Sequence, residues 1–325
     1  MFTLKEIDNI VEKGLETLDC HQEPIELYEP IEYMISIGGK RLRPRMCLMT
    51  YNLFSDKIEK PILNPALALE IFHGFTLIHD DIMDNADIRR GQPTVYKKWN
   101  SNIAILSGDV MSIKSYELLA DCPTDKLPDT LALFSRTAAQ VCEGQQYDMN
   151  FENMPFITMG DYISMIGLKT AVLLACSAQI GALIAGADKK VSQALYNFGY
   201  MLGIAFQIQD DYLDTFGQSN VFGKKIGGDI LNNKKTWLLV ESFRLANIKD
   251  KEELDKLLLL TEKEGEEKIK GMQQFYSRLG VKEGAVQEIV KYHQKALTIV
   301  EELNLTEVQR NQLETFAHNL LKRDK

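Results

Sequence analysis

Apolar residues along this chain recur every three or four positions, the spacing that gathers them on one side of a helix. Between Val286 and Leu303 one stripe collects Val286, Ile289, Val290, Ala296, Leu297, Val300 and Leu303, with charged residues on the opposite side. Alternating apolar and polar positions, the mark of a half-buried strand, are scarce. Start signals agree with helices: Thr158 stands three positions before Asp161 and Thr306 three before Gln309, each ahead of an apolar run, so each pair reads as a capping box. All nine prolines fall at or before Pro155, and the last 170 of the 325 residues hold none. With the strongest helix breaker absent from more than half of the chain, long helices are expected there and the fold class is all-α.

Composition narrows the picture. Hydrophobic residues at 45% and charged residues at 26% suit a globular chain with a sizeable core, and no low-complexity break divides it, so a single domain over residues 1–325 is expected. A net charge of −9 argues against a nucleic-acid or anionic-membrane binder, because those partners select basic surfaces. A polyanionic ligand must therefore meet a local basic cluster. Cys20, Cys47, Cys122, Cys142 and Cys176 are scattered without a CxxC pair, which indicates neither a disulfide framework nor a zinc site and fits a reducing cytoplasm. The N-terminal segment is acidic and amphipathic, and no stretch reaches about 18 uninterrupted apolar residues, so neither export nor a membrane span is expected.

The candidate chemistry lies in an internal echo. IHDDIMD at 78–84 and IQDDYLD at 208–214 are alike in five of seven positions, counting Met83 with Leu213, and stand 130 residues apart. Asp80 and Asp84 fall one helical turn apart on one face with Asp81 offset by about 100°, and Asp210, Asp211 and Asp214 repeat that geometry. Carboxylates so close repel one another unless something cationic compensates, and apolar flanks sharpen the need. Mg²⁺ satisfies it, since it takes a few carboxylate oxygens and keeps positions for water and substrate phosphate. One such motif arises by chance in roughly one sequence of this kind in ten, so the pair carries the inference; the bland alternative is two solvated acidic helix faces.

Basic residues stand where a diphosphate would need them. Arg89 and Arg90 follow Asp84 by about a turn and a half if the helix continues. GGKRLRPR at 38–45 offers Lys40, Arg41, Arg43 and Arg45 at a glycine turn opening a helix, though alone it also reads as a charged surface turn. Lys224, Lys225, Lys234 and Lys235 punctuate a glycine-rich loop suited to close over a polyanion. Lys169 and Thr170 interrupt an apolar run, where a lone ammonium requires an anionic partner, either a diphosphate or a triplet aspartate. His73 lies two turns before Asp80 on the same face and is either a phosphate donor or a buried structural histidine.

Taken together, GGKRLRP, LIHDDIMDNADIRRGQPT, EGQQYD at 143–148, the Lys169–Thr170 pair, FQIQDDYLD and GK…GGD resemble the trans-isoprenyl diphosphate synthase (polyprenyl synthetase) family over nearly the whole chain, in its short-chain form. The resemblance implies a helical bundle around a central cavity, a homodimer, and head-to-tail condensation of an allylic diphosphate with isopentenyl diphosphate. It implies Asp80, Asp84 and Asp210 as direct ligands of Mg²⁺, three ions with the bound diphosphate, with Asp81, Asp211 and Asp214 completing or supporting the shell. Arg89, Lys169 and Lys224 would hold the allylic diphosphate, Lys225 being the alternative when spacing is counted back from Lys234. Lys40, Arg43, His73 and Arg90 would hold isopentenyl diphosphate, helped by Lys322 and Arg323, and Thr170 and Gln207 would steady the allylic cation.

Product length should be set by Thr76, Phe75 and Phe72, which stand four, five and eight positions before Asp80 and either floor a tunnel or pack as ordinary core rings. A ring beside a small residue resembles members making the C20 product geranylgeranyl diphosphate, with C15 next. The rival readings are a non-catalytic partner subunit, which needs no intact triplets, and a terpene cyclase, which needs no second substrate.

Overall fold

The computed structural model describes residues 1–217 and 227–322; Lys224, Lys225 and Arg323 lie outside the described residues. Its elements are α1 (Leu4–Glu16), α2 (Ile25–Ser36), α3 (Leu42–Asn52), α4 (Lys60–Met83), the two-residue strands β1 (Ile88–Arg89) and β2 (Gln92–Pro93), α5 (Val95–Lys98), α6 (Ser101–Leu119), α7 (Leu127–Glu152), α8 (Met159–Ile166), a π-helical turn (Gly167–Ala171), α9 (Val172–Ile184), α10 (Lys189–Phe216), α11 (Gly228–Leu231), α12 (Trp237–Leu245), α13 (Ile248–Leu258), α14 (Gly265–Arg278), α15 (Val281–Glu302) and α16 (Glu307–Leu321). The fold is all-α, as the helical spacing of apolar residues requires. Among the described residues the longest helix, α10 with 28 residues, falls in the proline-free part. Both expected capping boxes form: the Thr158 amide donates to Asp161 at 2.9 Å and the Thr306 amide to Gln309 at 2.8 Å, each satisfying a backbone group the first helical turn leaves open.

The chain packs as two compact units. One takes Met1–Arg136, Leu173–Tyr196 and Leu303–Leu313; the other takes Thr137–Val172, the described part of Asn197–Glu302, and the residues from Glu314. In the first, α4 packs along α6 and against α3, burying Leu67, Leu69, Ile71 and Phe72. In the second, a core of Tyr162, Ile166, Ile204, Ile208, Trp237, Leu238, Met272 and Phe275 gathers faces of α8, α10, α12 and α14. The stretches Lys60–Met83 and Met159–Ile184 match a membrane span in length and hydropathy, yet 56% and 67% of them is buried within the protein, the condition of core helices.

Two local features place the site. Helix α4 stops at Met83, and the chain turns into a β1–β2 hairpin that pairs Arg89 with Gln92. Arg90 and Gly91 form its two-residue turn with φ of 53° and 77°, positive at both positions as a tight hairpin demands. Arg89 and Arg90 are therefore on a hairpin, and the expectation that they continue the aspartate helix is corrected. The second feature is the π-helical turn carrying Lys169 and Thr170. Such a turn inserts one residue into a helix and rotates the side chains beyond it. It lies so close to α7 that a Cβ on Gly144 would stand 2.6 Å from the Lys169 Cα and 2.7 Å from the Leu168 carbonyl carbon. The glycine of EGQQYD is thus a close-approach residue. Gly144→Ala should cost about 2 kcal/mol or more of stability, because backbone and not a movable side chain must give way. Chemical denaturation against a Gly160→Ala control, whose Cβ meets nothing nearer than 3.6 Å, checks this.

Candidate active site

The two aspartate triplets close the C-terminal ends of α4 and α10 and share one pattern of exposure. In each, the middle residue is buried, Asp81 at 2% and Asp211 at 5%, while Asp80, Asp84, Asp210 and Asp214 are half-buried. Protein donors hold both middle carboxylates. Arg89 grips Asp81 with a fork: Nε donates at 2.9 Å and Nη2 at 2.7 Å. Its Nη2 also lies 4.0 Å from Asp80. These carboxylates hold the Arg89 guanidinium above its usual range against the opposing cost of burial. Asp211 accepts from the Tyr162 hydroxyl at 2.7 Å, the Trp237 amide at 2.9 Å and the Gln207 amide at 2.9 Å. Burial, then the nearby negative Asp229, push its carboxyl up to about 7 against those donors.

The donors on Asp81 and Asp211 suit the supporting role of the two expected for them. The outer aspartates are the more exposed members of each triplet. Asp214 also receives the Asp229 amide at 3.0 Å, which ties the start of α11 to the triplet. Among the described residues no three His, Cys, Asp or Glu side chains converge to hold an ion unaided. Hard oxygen donors arranged in ones and twos fit a hard divalent cation that shares its shell with waters and substrate phosphate.

In the first unit Arg41, Arg43 and Arg90 gather around Glu70. Gly38 and Gly39, with φ of 77° and 144°, turn the chain into α3, and Arg41 precedes that helix with a φ of 45°. A Cβ on Gly39 would lie 2.6 Å from the Arg90 guanidinium, so the glycine admits the arginine. Buried Arg41 donates to Glu70 at 3.0 Å and to the Ile35 carbonyl at 2.6 Å. Burial pulls Arg43 down to about 10, with Glu70 countering and Arg90 adding to the fall. A small cavity is lined by Arg41, Glu70, His73 and Arg90. Burial and then the charges of Arg43, Arg90, Arg89 and Arg41 hold His73 well below its ordinary value, so its imidazole is neutral. Lys40 is exposed on the same turn. Glu70 has no motif to announce it; its signal was a lone acid inside the apolar run ALALEIF.

In the second unit Lys169 reaches Asp148, the last residue of EGQQYD, at 2.6 Å. Asp148 is thus an anionic partner of this ammonium. Thr170 donates to the Gln207 carbonyl oxygen at 2.9 Å, which joins the π-helical turn to α10 one turn before Asp211. Lys234 donates its amide to the Asp229 carbonyl at 2.9 Å, closing the turn after α11. Near the C-terminus the Leu321 carbonyl accepts from Gln209, the neighbour of Asp210, at 2.8 Å, and Lys322 follows it, exposed. Phe72, Phe75 and Thr76 occupy the middle of α4 in the first unit. Ring centroids run from Phe134 to Phe72 at 5.2 Å, on to Phe75 at 5.4 Å and to His79 at 4.8 Å, with Tyr116 at 5.0 Å from Phe134. The Thr76 hydroxyl donates to the His73 carbonyl at 2.8 Å.

Comparison with known proteins gives the family and the fold. The family model described as polyprenyl synthetase matches residues 24–276. A geranylgeranyl diphosphate synthase of Methanosarcina mazei is 38% identical over 242 residues, covering 74% of each chain. A geranylfarnesyl diphosphate synthase of Natronomonas pharaonis is 38% identical over 232 residues, covering 66% of this chain and 68% of its own. The crystal structure of a geranylgeranyl pyrophosphate synthase superposes with a TM-score of 0.93 at 42% identity over the whole of both chains. Another, from Corynebacterium glutamicum and complexed with isoprenyl diphosphate and magnesium, superposes with a TM-score of 0.86 at 25% identity over 98% of each chain. Matched by a family model over most of its length and by relatives that share its fold from end to end, this chain belongs to the polyprenyl synthetase family.

Proposed function

We propose that the protein condenses an allylic diphosphate with isopentenyl diphosphate head-to-tail in a Mg²⁺-dependent reaction that releases pyrophosphate. The observation that carries the reading is the Thr170–Gln207 oxygen pair, 2.9 Å apart and one turn from Asp211. Oxygen dipoles there serve a carbocation, and a non-catalytic partner subunit has no use for them. Family membership weighs against a terpene cyclase, and the relatives named geranylgeranyl diphosphate synthase support a prenyl transferase.

Asp80 and Asp84 on α4 and Asp210 on α10 would hold the ions, Asp214 would complete the α10 set, and Asp81 and Asp211 would keep the flanking backbone and side chains in place. Bound Mg²⁺ supplies Lewis-acid neutralisation of the departing diphosphate. Arg89 and Lys169 are held by Asp81 and Asp148, so each presents an oriented cation edge to the allylic diphosphate. When the allylic C–O bond breaks, Thr170 and Gln207 face the positive charge with oxygen. The double bond of isopentenyl diphosphate attacks, and a proton leaves to the released pyrophosphate. Lys40, Arg43 and Arg90 would take the second diphosphate, with neutral His73 donating one hydrogen bond. Lys234 would support the glycine-rich segment, whose Lys224 lies outside the described residues.

Relatives of equal identity carry C20 and C25 names, so overall likeness does not set product length. The ring row of Phe72 and Phe75 supports a C20 floor, with Thr76 the small neighbour. Ile105, Leu106 and Ile113, exposed on α6, support a homodimer, and five free cysteines support a reducing cytoplasm.

The direct test incubates the protein with Mg²⁺, labelled isopentenyl diphosphate and dimethylallyl, geranyl or farnesyl diphosphate in turn. A C20 alcohol is expected after dephosphorylation, and Phe75→Ala should lengthen it to C25 or beyond; no incorporation from any primer overturns the reading. The neutral state of His73 predicts a pH effect. Unfolded His73 takes up a proton near 6.5 and folded His73 does not, so its contribution is complete above that pH and is lost as pH falls below it. His73→Gln should therefore flatten the fall in melting temperature between about pH 7 and pH 5; an unchanged slope would show that the histidine titrates normally.

A further inference from the structure

We propose that Tyr162 and Asp211 are positioning residues that fix the polarity of the Thr170–Gln207 pair, so that Thr170 turns oxygen lone pairs and not its hydrogen toward the allylic cation. This rests on the prenyl-transfer reading above.

The chain of bonds is directional from its far end. The Trp237 amide is a backbone N–H and can only donate, and it donates to Asp211 Oδ2 at 2.9 Å. The Tyr162 hydroxyl donates to the same oxygen at 2.7 Å from a side chain only 1% exposed. Asp211 is thereby held as an acceptor, and its other oxygen, Oδ1, receives the Gln207 amide nitrogen at 2.9 Å. An amide whose NH₂ is fixed on a carboxylate has its carbonyl facing away from it. That carbonyl accepts the Thr170 hydroxyl hydrogen at 2.9 Å. A threonine hydroxyl carries one hydrogen and two acceptor lone pairs, so with the hydrogen committed to Gln207 only lone pairs remain for the substrate side.

Reversal shows why the polarity matters. Were the Gln207 amide flipped, its NH₂ would donate to Thr170 and free the hydroxyl hydrogen to point at the cation. A positive dipole end would then face a positive charge, in surroundings of low dielectric where such a contact weighs most. The buried end of the network reaches no substrate: α8 supplies Tyr162, α12 supplies the Trp237 amide, and both act through α10. The charged Asp229 near Asp211 is acidic, which makes the protein donors on Asp211 the more necessary.

A double-mutant cycle on the full-length enzyme with Mg²⁺ tests this. Tyr162→Phe should lower kcat about tenfold or more and leave KM for both diphosphates within about twofold, because the pair works in the transition state. Gln207→Leu should lower kcat at least as far, and the double variant should be no slower than Gln207→Leu alone, since Tyr162 acts through Gln207. Asp211→Asn, which conserves shape, passes through the same cycle and decides the question if Tyr162→Phe does not fold. Losses that multiply in the double variants, or full kcat in Tyr162→Phe, would overturn the inference and leave a purely structural network. A wild-type protein that condenses nothing would overturn both this inference and the reading beneath it.

Discussion

Acidic side chains one helical turn apart repel, and this chain sets three such residues at the end of α4 and three more at the end of α10. The middle carboxylate of each cluster is buried and held by protein donors. Arg89 holds Asp81, and a tyrosine, a backbone amide and a glutamine hold Asp211, while the outer aspartates of both clusters stay half-buried. Carboxylates crowded in this way suit a cationic ligand. On the proposed function a metal–diphosphate complex would add positive charge at the aspartates and, with its phosphates, counter-charge for the arginines.

The other functional groups follow from that constraint. A hairpin turn with two positive φ angles brings Arg89 back onto the end of α4, and Gly39 leaves room for Arg90. Glu70 offsets the charge of Arg41, Arg43 and Arg90 and Asp81 that of Arg89, so the four cations gather near His73, and with its burial the same crowding keeps the imidazole neutral. In the other unit Gly144 lets α7 approach the π-helical turn, Asp148 takes Lys169, and Thr170 meets Gln207. Orientation is thus built from pairs fixed before any substrate arrives.

The helical class, the triplets and the capping boxes at Thr158 and Thr306 were legible in the sequence, because periodicity and short-range spacing are local properties. What escaped is long-range or conformational. Nothing in ADIRRGQPT distinguishes a continuing helix from a hairpin except Arg90–Gly91, and arginine is an unusual first residue for such a turn. A lysine in an apolar run announces a partner but not which carboxylate, and Asp148 lies 21 positions before it. Tyr162 and Glu70 read as one more aromatic and one more acid, since only packing brings the first to Asp211 and the second to Arg41.

The central claim is that the outer aspartates await a metal–diphosphate complex and that the basic residues alone do not suffice. Calorimetric titration of the protein with inorganic pyrophosphate, with and without Mg²⁺, tests it most directly. The account predicts binding only when Mg²⁺ is present, lost in Asp84→Asn and in Asp210→Asn. Binding of equal strength without the metal, or undiminished in both variants, would contradict it.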